Sequence, residues 1–310
     1  MCIRDSSTSD QKNESRGVSD EEADEGNNFA DGGDDTNREP NLGAVAIDNI
    51  GLDPFDVYRV VAQREGNFVF SPHGLNKSLF ALHAATASVT RSQFDAVLGI
   101  QDVDPFLAYD ALAAIDRSIG SNSGDEFAVT GVWVDSDFSV SQRYVDLVAD
   151  YFDVAVRRVN LTDMETARVQ INNTLAAETS GYANEVLPTN TLPSGDFVIA
   201  GATFFNAPWQ EGFSVTVTEE QTFYDEDGNQ APREFMTRRG TVLTLDDGDI
   251  QSIALPLTTG QSVVFVLPSA GIETIEEELD FDFLQRLIDR MQVTETSFSI
   301  PKLDLGWTFN

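Results

Sequence analysis

The chain has 310 residues, of which 52 are Asp or Glu and 19 are Lys or Arg, so its formal net charge is -33. This charge excludes nucleic acid and anionic membrane surfaces as partners, because both are themselves negatively charged. An acid-rich, lysine-poor composition is typical of halophilic proteins, since salt screens the self-repulsion; an ordinary acidic soluble protein is the alternative.

Residues 1–41 are predicted to form a disordered acidic tail, and residues 42–310 to form one folded domain. The tail is rich in Ser, Asp, Glu, Gly and Asn, so it cannot bury enough apolar surface to offset the entropy of ordering. It either tethers the domain to an anchor or is a free solvated segment. No signal peptide is visible after Met1, and no segment has the roughly 18 apolar residues that a membrane helix requires.

The domain is predicted to begin with helices. The first starts at Pro54, with Asp53 as its N-cap. A short apolar strand, Phe68–Phe70, then leads into a helix from His73 to Ala87. An amphipathic helix is predicted at 105–119, where apolar residues fall at helical spacing.

The middle of the chain is predicted to contain a central strand and two helices. Residues 127–138 form a nearly continuous apolar run, as expected for a strand with neighbours on both sides. A helix capped by Ser141 follows at 141–152, and another is predicted at 162–180. Thr162 and Glu165 form a capping box at its start, and Gly181 ends it.

The second half is predicted to be mostly strands. After an apolar strand at 197–206, the pattern indicates a hairpin at 213–236 that turns at Asp227-Gly228-Asn229. The remaining elements are strands at 241–245, 250–257 and 262–267, helices at 272–279 and 281–291, and a strand at 294–309 interrupted by Pro301. Strands and helices do not alternate regularly and no repeat is present, so the predicted class is α+β.

The sequence offers no candidate catalytic, cofactor-binding or metal-binding residue. The two histidines, His73 and His83, lack the spacing of metal ligands, and they are interpreted as structural or exposed side chains. Cys2 is the single cysteine, so no disulfide forms within the chain. Nucleophile-elbow and phosphate-binding glycine motifs are absent. An unrelated acidic α+β hydrolase remains as one alternative.

Seven segments nevertheless match, in order, the pattern of one family. The first is the strand-to-helix junction Asn67 to Pro72, followed by a helix that carries Thr90, Gln93, Leu98 and Gly99. The others lie at 151–161, 171–181, 199–209, 223–236, 253–268 and 298–303. Together they resemble the serpins, a family of serine protease inhibitors, over residues 53–310. The resemblance implies helices packed around a large central mixed β-sheet with two smaller sheets.

The resemblance also implies a function and partners. A serpin is a suicide substrate: a serine (or cysteine) protease cleaves an exposed loop, the loop inserts into the central sheet as a new strand, and the acyl-enzyme is trapped. No inhibitor residue is catalytic, and neither a cofactor nor a metal is implied. The expected protein is a monomer, extracellular or tethered to the cell surface, that binds a target protease and does not insert into a membrane.

Four residues match the family's conformational-switch positions, called the shutter and the breach. Ser71 stands at a shutter serine and Trp209 at the breach tryptophan. Gly74 and Gly201 replace a second shutter serine and a shutter asparagine, which removes two polar side chains and leaves the efficiency of the switch open. Ser71 can equally be read as a helix N-terminal residue and Trp209 as a core anchor.

The family pattern continues beyond the segment at 298–303 into a hinge, the reactive loop and the last strands. These are not found before Asn310, so the sequence is interpreted as truncated, with the reactive bond absent and the fragment itself inactive. A non-inhibitory serpin-fold binding or chaperone-like protein is the alternative function. The glycosylation sequons that begin at Asn76, Asn160 and Asn172 are meaningful only in a secretory host.

Overall fold

The computed structural model of the chain describes residues 3–4, 50–63, 67–121, 126–192, 195–224 and 229–303. Its helices are α1 (Pro54–Ala62), α2 (Pro72–Ala84), α3 (Ser88–Val97), α4 (Pro105–Ser121), α5 (Gln142–Phe152), α6 (Met164–Glu178), α7 (Glu273–Glu276) and α8 (Phe281–Arg290). Its strands are β1 (Ile3–Arg4), β2 (Glu126–Asp135), β3 (Ala155–Val159), β4 (Phe197–Phe205), β5 (Thr218–Tyr224), β6 (Gln230–Asp246), β7 (Ile250–Pro256), β8 (Ser262–Pro268) and β9 (Gln292–Pro301). Within these ranges, no helix is long and apolar enough to cross a membrane.

Helix starts follow local capping chemistry. Asp53 accepts a hydrogen bond from the backbone N–H of Phe55 at the start of α1, and Ser141 caps α5 in the same way, as predicted. The cap of α6 is Asp163 and not Thr162. The predicted capping box does not form, because the hydroxyl of Thr162 donates to Asn160 Oδ1 and the carboxylate of Glu165 binds a neighbouring arginine.

A mixed three-stranded sheet holds the helical part together. β2 is its central strand and pairs with β3 in parallel and with β4 antiparallel. Alternate residues of β2 face opposite sides, as the strand period requires. Val132 and Val134 join a core with α2, α4 and α5, and Trp133 joins a second core with α6.

The second sheet has six antiparallel strands, with β6 at its centre. β6 pairs on one side with β5 and then with β7, and on the other side with β9; β8 and the two-residue β1 extend the sheet beyond β7. The prediction of two separate strands, one ending near 236 and the next starting at 241, is wrong, because β6 runs without a break from Gln230 to Asp246. It is continuous because β9 pairs across both parts, from Phe235 to Thr244.

Two further predictions differ from the structure. Phe68–Phe70 is extended but belongs to neither sheet of the described residues, so it is not a strand. The predicted helix from His73 to Ala87 ends at Ala84, and the next begins at Ser88, where a left-handed φ of 52° prevents continuous helix. The tail up to residue 49, apart from 3–4, the turn residues 225–228 and the strand end at 304–309 lie outside the described residues. The predicted α+β class is confirmed.

Candidate functional site at the edge of strand β4

β4 is an outer strand of the mixed sheet. Its register with β2 runs from Phe197 opposite Val134 to Phe205 opposite Glu126, and no strand of the described residues pairs with its other edge. Helix α2 packs against both strands on one face. On β4, the ring of Phe204 stacks on the exposed Tyr182, with 3.9 Å between ring centroids. The outer backbone edge of β4 therefore pairs with no strand of the described residues.

Ser71 and Gly74 lie at the start of α2, where the helix meets β4. The Ser71 hydroxyl accepts a hydrogen bond of 3.1 Å from the Gly74 backbone N–H and so caps the helix. A Cβ placed on Gly74 would lie only 2.2 Å from Thr203 Oγ1 of β4 and 3.3 Å from Ser71 Oγ. Glycine at position 74 therefore allows the threonine of the sheet to approach the helix backbone.

Gly201 also lies against α2, in the middle of β4. It pairs with Thr130 of β2. A Cβ at Gly201 would lie 2.9 Å from the backbone oxygen of Val129, 3.1 Å from Thr130 Oγ1 and 3.4 Å from Ser78 Oγ. The hydroxyl of Thr130 is buried, with 3 % of the residue exposed, and has no hydrogen-bond partner within the described chain. Backbone atoms thus occupy the space that the side chain of the expected asparagine would need. The buried hydroxyl of Thr130 beside it has no partner within the described chain.

Trp209 occupies a different environment, four residues past the end of β4. It forms an isolated antiparallel bridge with Leu257. Its ring meets Phe213 edge-on at 5.8 Å, and both pack on the core of the six-stranded sheet. The structure therefore brings Ser71, Gly74 and Gly201 together, while Trp209 anchors the chain where it passes from one sheet to the other.

Three polar residues of this site were not predicted from the sequence: Ser78, Thr130 and Thr203. The strand period could have shown that Gly201 and Thr203 share one face of β4. It could not have shown that Gly74 lies beneath Thr203, because that contact depends on how the helix docks on the sheet.

Two hydrogen-bonded clusters fix α2 in place beneath the sheet. In the first, the buried Lys77 donates to Asp116 Oδ2 of α4 at 2.6 Å and to the backbone oxygen of Ala128 at 2.9 Å, and His73 contacts the same carboxylate at 2.5 Å. Burial alone would raise the pKa of Asp116, but the hydrogen bonds from His73 and Lys77 outweigh it and hold this pKa below its usual value.

The second cluster surrounds His83, which is fully buried. Its Nδ1 lies 2.7 Å from the hydroxyl of Tyr109 in α4, and its Nε2 lies 2.7 Å from Asp95 in α3. Desolvation lowers the pKa of His83, and the hydrogen bond that its ring donates to the Asp95 carboxylate only partly offsets that effect. The predicted structural role agrees with these contacts, since each histidine joins α2 to other helices. No group of three metal-ligating side chains occurs among the described residues.

Comparison with known proteins identifies relatives of the whole described domain. The family model described as "Serpin (serine protease inhibitor)" matches residues 54–310. The chain is 28 % identical over 265 residues to Serpin-ZX of Arabidopsis thaliana, covering 80 % of this chain and 67 % of that protein. It is 27 % identical over 255 residues to Serpin-Z1C of Triticum aestivum, covering 78 % of this chain and 64 % of that protein. The chain thus spans about two thirds of the length of these relatives.

Solved structures show the same fold. The mouse protein-Z dependent protease inhibitor superposes with a TM-score of 0.72 at 21 % identity, over 80 % of this chain and 68 % of that one. The reactive-loop-cleaved human thyroxine binding globulin superposes with a TM-score of 0.74 at 17 % identity, over 80 % and 76 %. The predicted fold of helices around a mixed sheet with further sheets is confirmed. The family match covers most of the chain, and the chain belongs to the serpin family.

Proposed function

We propose that the protein inhibits a serine or cysteine protease by accepting a cleaved loop as an additional strand beside β4. The observation that carries this proposal is the outer edge of β4, which lies free of any strand among the described residues. An unpaired edge offers a row of backbone N–H and C=O groups to an extended segment. β4 supplies nine residues for such pairing.

The trapping reaction needs no catalytic group of the inhibitor. The protease hydroxyl or thiol attacks a carbonyl of the bait loop, the peptide C–N bond breaks, and the new amine leaves with a proton from the protease. The remaining acyl-enzyme is tethered to the inserted loop. Insertion distorts the protease and blocks attack by water, so the ester or thioester persists.

The test uses the longest natural gene product that contains this chain, incubated with a panel of serine and cysteine proteases. We expect a complex that resists denaturing detergent, and a higher unfolding temperature after loop cleavage. The 310-residue chain on its own is the control, and we expect it to form no such complex. Simple cleavage of the longer product, with neither a complex nor added stability, would contradict inhibition.

A non-inhibitory binding role is the second candidate. It is favoured by the unpaired hydroxyl of Thr130 and by the two glycines, 74 and 201, which leave the switch region without its expected polar side chains. The structural likeness to human thyroxine binding globulin, named for the ligand that it binds, provides a precedent for this kind of role within the fold. A cleaved loop that leaves the unfolding temperature unchanged would support this candidate.

We further propose a monomeric protein, located outside the cell or tethered to its surface, that is adapted to high salt. The net charge of -33 supports the last point. Screening shortens the Debye length from about 10 Å at 0.1 M to about 3 Å at 1 M salt. We therefore expect the unfolding temperature to rise from 0.1 M to several molar KCl; a flat or falling midpoint would contradict salt adaptation.

A further inference from the structure

The three sequons within the described residues, at Asn76, Asn160 and Asn172, differ sharply in their surroundings. N-linked glycosylation requires an Asn-x-Ser/Thr sequence and a folded protein that can carry a bulky, solvated sugar on the asparagine side chain. The sequence alone makes Asn76, Asn160 and Asn172 equivalent. Their hydrogen bonds and exposure do not.

Asn172 lies on the buried side of α6. Only 5 % of the residue is exposed. Its Nδ2 donates to the backbone oxygen of Leu187 at 2.8 Å, and its Oδ1 accepts from the N–H of the same residue at 2.9 Å. A glycan on Nδ2 would have to displace the 187 segment from the helix, so the folded protein cannot carry it.

Asn76 is held almost as tightly within α2. Its Oδ1 accepts from the backbone N–H of Leu52 at 2.7 Å, and its Nδ2 donates to the oxygen of that residue at 3.3 Å. Gly51, which has a φ of +102°, packs against the amide: a Cβ there would lie 2.8 Å from Nδ2. The chain before α1 therefore closes over this side chain.

Asn160 is exposed, in the short connection between β3 and α6. Its Oδ1 accepts hydrogen bonds from the backbone N–H of Thr162 at 3.0 Å and from the hydroxyl of the same residue at 2.5 Å. Its Nδ2, the atom that would carry the sugar, makes no hydrogen bond within the described chain. The next residue, Leu161, is buried, and its N–H donates to Asp135 Oδ2 at 2.9 Å.

We propose that Asn160 is a site of N-linked glycosylation in this protein. In the transfer, Nδ2 bonds to the anomeric carbon of a saccharide carried on a polyprenyl diphosphate. The bond from that carbon to the phosphate oxygen breaks, the diphosphate leaves with the electron pair, and Nδ2 gives up one proton to a base of the transferase. The buried Leu161 keeps the connection in register, while the glycan projects into solvent beside the N-terminus of α6.

The proposal rests on the extracellular location suggested above, but its test does not depend on inhibition. The full chain is expressed behind a cleavable secretion signal in a eukaryotic host, and glycan occupancy is measured by peptide mass spectrometry of the secreted protein. The positive control is Gly212→Asn, which creates the sequon Asn-Phe-Ser at a position where a Cβ meets nothing within 4 Å. Gly212→Ala, which creates no sequon, is its matched negative control. The expression host is chosen so that it attaches a glycan to the new asparagine of the Gly212→Asn variant.

In that host we expect glycan on Asn160 in most secreted molecules, and none on Asn76 or Asn172. Asn160→Gln and Thr162→Ala should each remove one glycan mass without reducing secretion more than twofold. Secreted protein that carries the glycan of Gly212→Asn but none at Asn160 would overturn the proposal. Occupancy of Asn172 or Asn76 in folded, secreted protein would overturn the structural selection among the three.

Discussion

Replacing Gly74 with alanine tests the close approach of α2 to β4. An ideal Cβ at residue 74 would lie 2.2 Å from Thr203 Oγ1, far inside the roughly 3.5 Å of an ordinary contact. Thr203 can move its hydroxyl away by rotating χ1, but an unfavourable rotamer costs about 0.5–1.5 kcal/mol, and one of the alternatives puts a methyl group in the same place.

The sign of the effect depends on the residue at position 203. Overpacking costs about 1–3 kcal/mol, and exchanging a helical glycine for alanine gains about 1 kcal/mol. We therefore expect Gly74→Ala to lower the free energy of unfolding by roughly 0–2 kcal/mol when Thr203 is present. In the Thr203→Ala background the clash is gone, and the same change should raise that free energy by about 1 kcal/mol.

The assay is urea unfolding of the four proteins of this double-mutant cycle at one salt concentration. The expected coupling energy between residues 74 and 203 is about 1–3 kcal/mol. Gly212→Ala, combined with Thr203→Ala, is the matched control, because a Cβ at 212 meets nothing within 4 Å. A coupling below about 0.5 kcal/mol, the level seen for independent sites, would refute the close contact.

Three other substitutions test separate features. Ser88 has a φ of 52° at the start of α3; Ser88→Gly should raise the free energy of unfolding by about 0.5–1 kcal/mol, since glycine tolerates this conformation, and a loss of stability would show that the serine side chain is needed. The pKa of His83 is lowered in the folded protein by burial, so the unfolded chain binds more protons between that pKa and about 6.5. Stability from His83 is therefore full above pH 6.5 and is lost as the pH falls through the folded pKa, whereas His83→Asn should lack this part of the pH dependence of urea unfolding. Thr130→Val removes the unpaired buried hydroxyl and should stabilise the protein by about 1 kcal/mol; destabilisation would mean that the hydroxyl has a bound partner, such as an ordered water.

The parts of the fold that depend on local chemistry could be predicted from the sequence. Asp53 and Ser141 cap helices as expected, and the apolar run at 127–138 gives the central strand β2. The cap of α6 was wrong by one residue, because Asp163 and Thr162 both offer an oxygen and the structure uses Thr162 in a turn with Asn160. Such a choice between adjacent side chains is not encoded in a short motif.

Strand pairing was harder to predict, because it depends on partners far along the chain. The residues between 236 and 241 contain two arginines and a glycine, which is typical of a break between strands. β9, more than 50 residues later, nevertheless pairs along this stretch and keeps β6 continuous. The segment 68–70 shows the opposite case: its sequence favours a β-strand, but it joins neither sheet of the described residues.

The sequence predicted which residues belong to the candidate site, but it did not predict which atoms they contact. Gly74 and Gly201 were expected to remove two polar side chains, and the structure places atoms of the sheet in both vacated positions. One glycine admits a side chain, Thr203 Oγ1, and the other admits a backbone oxygen, that of Val129. Restoring a side chain at 74 would require Thr203 to rotate or shift, and restoring one at 201 would require the backbone oxygen of Val129 to move. Neither contact could be foreseen without the packing of α2 and β2 against β4.

The hydroxyls around α2 show how this sheet edge is held. Ser71 accepts from the backbone of α2, Ser78 donates to the backbone oxygen of Gly74 in the same helix, and Thr130 has no partner in the described chain. None of these three hydroxyls joins the helix to β4, so β4 is held by its ladder to β2 and by van der Waals contact with α2. A rearrangement that admits a new strand beside β4 would then break few side-chain hydrogen bonds, but it would also gain none from these hydroxyls unless their partners change. The stability gained on insertion must come mainly from the backbone hydrogen bonds and buried apolar surface of the new strand.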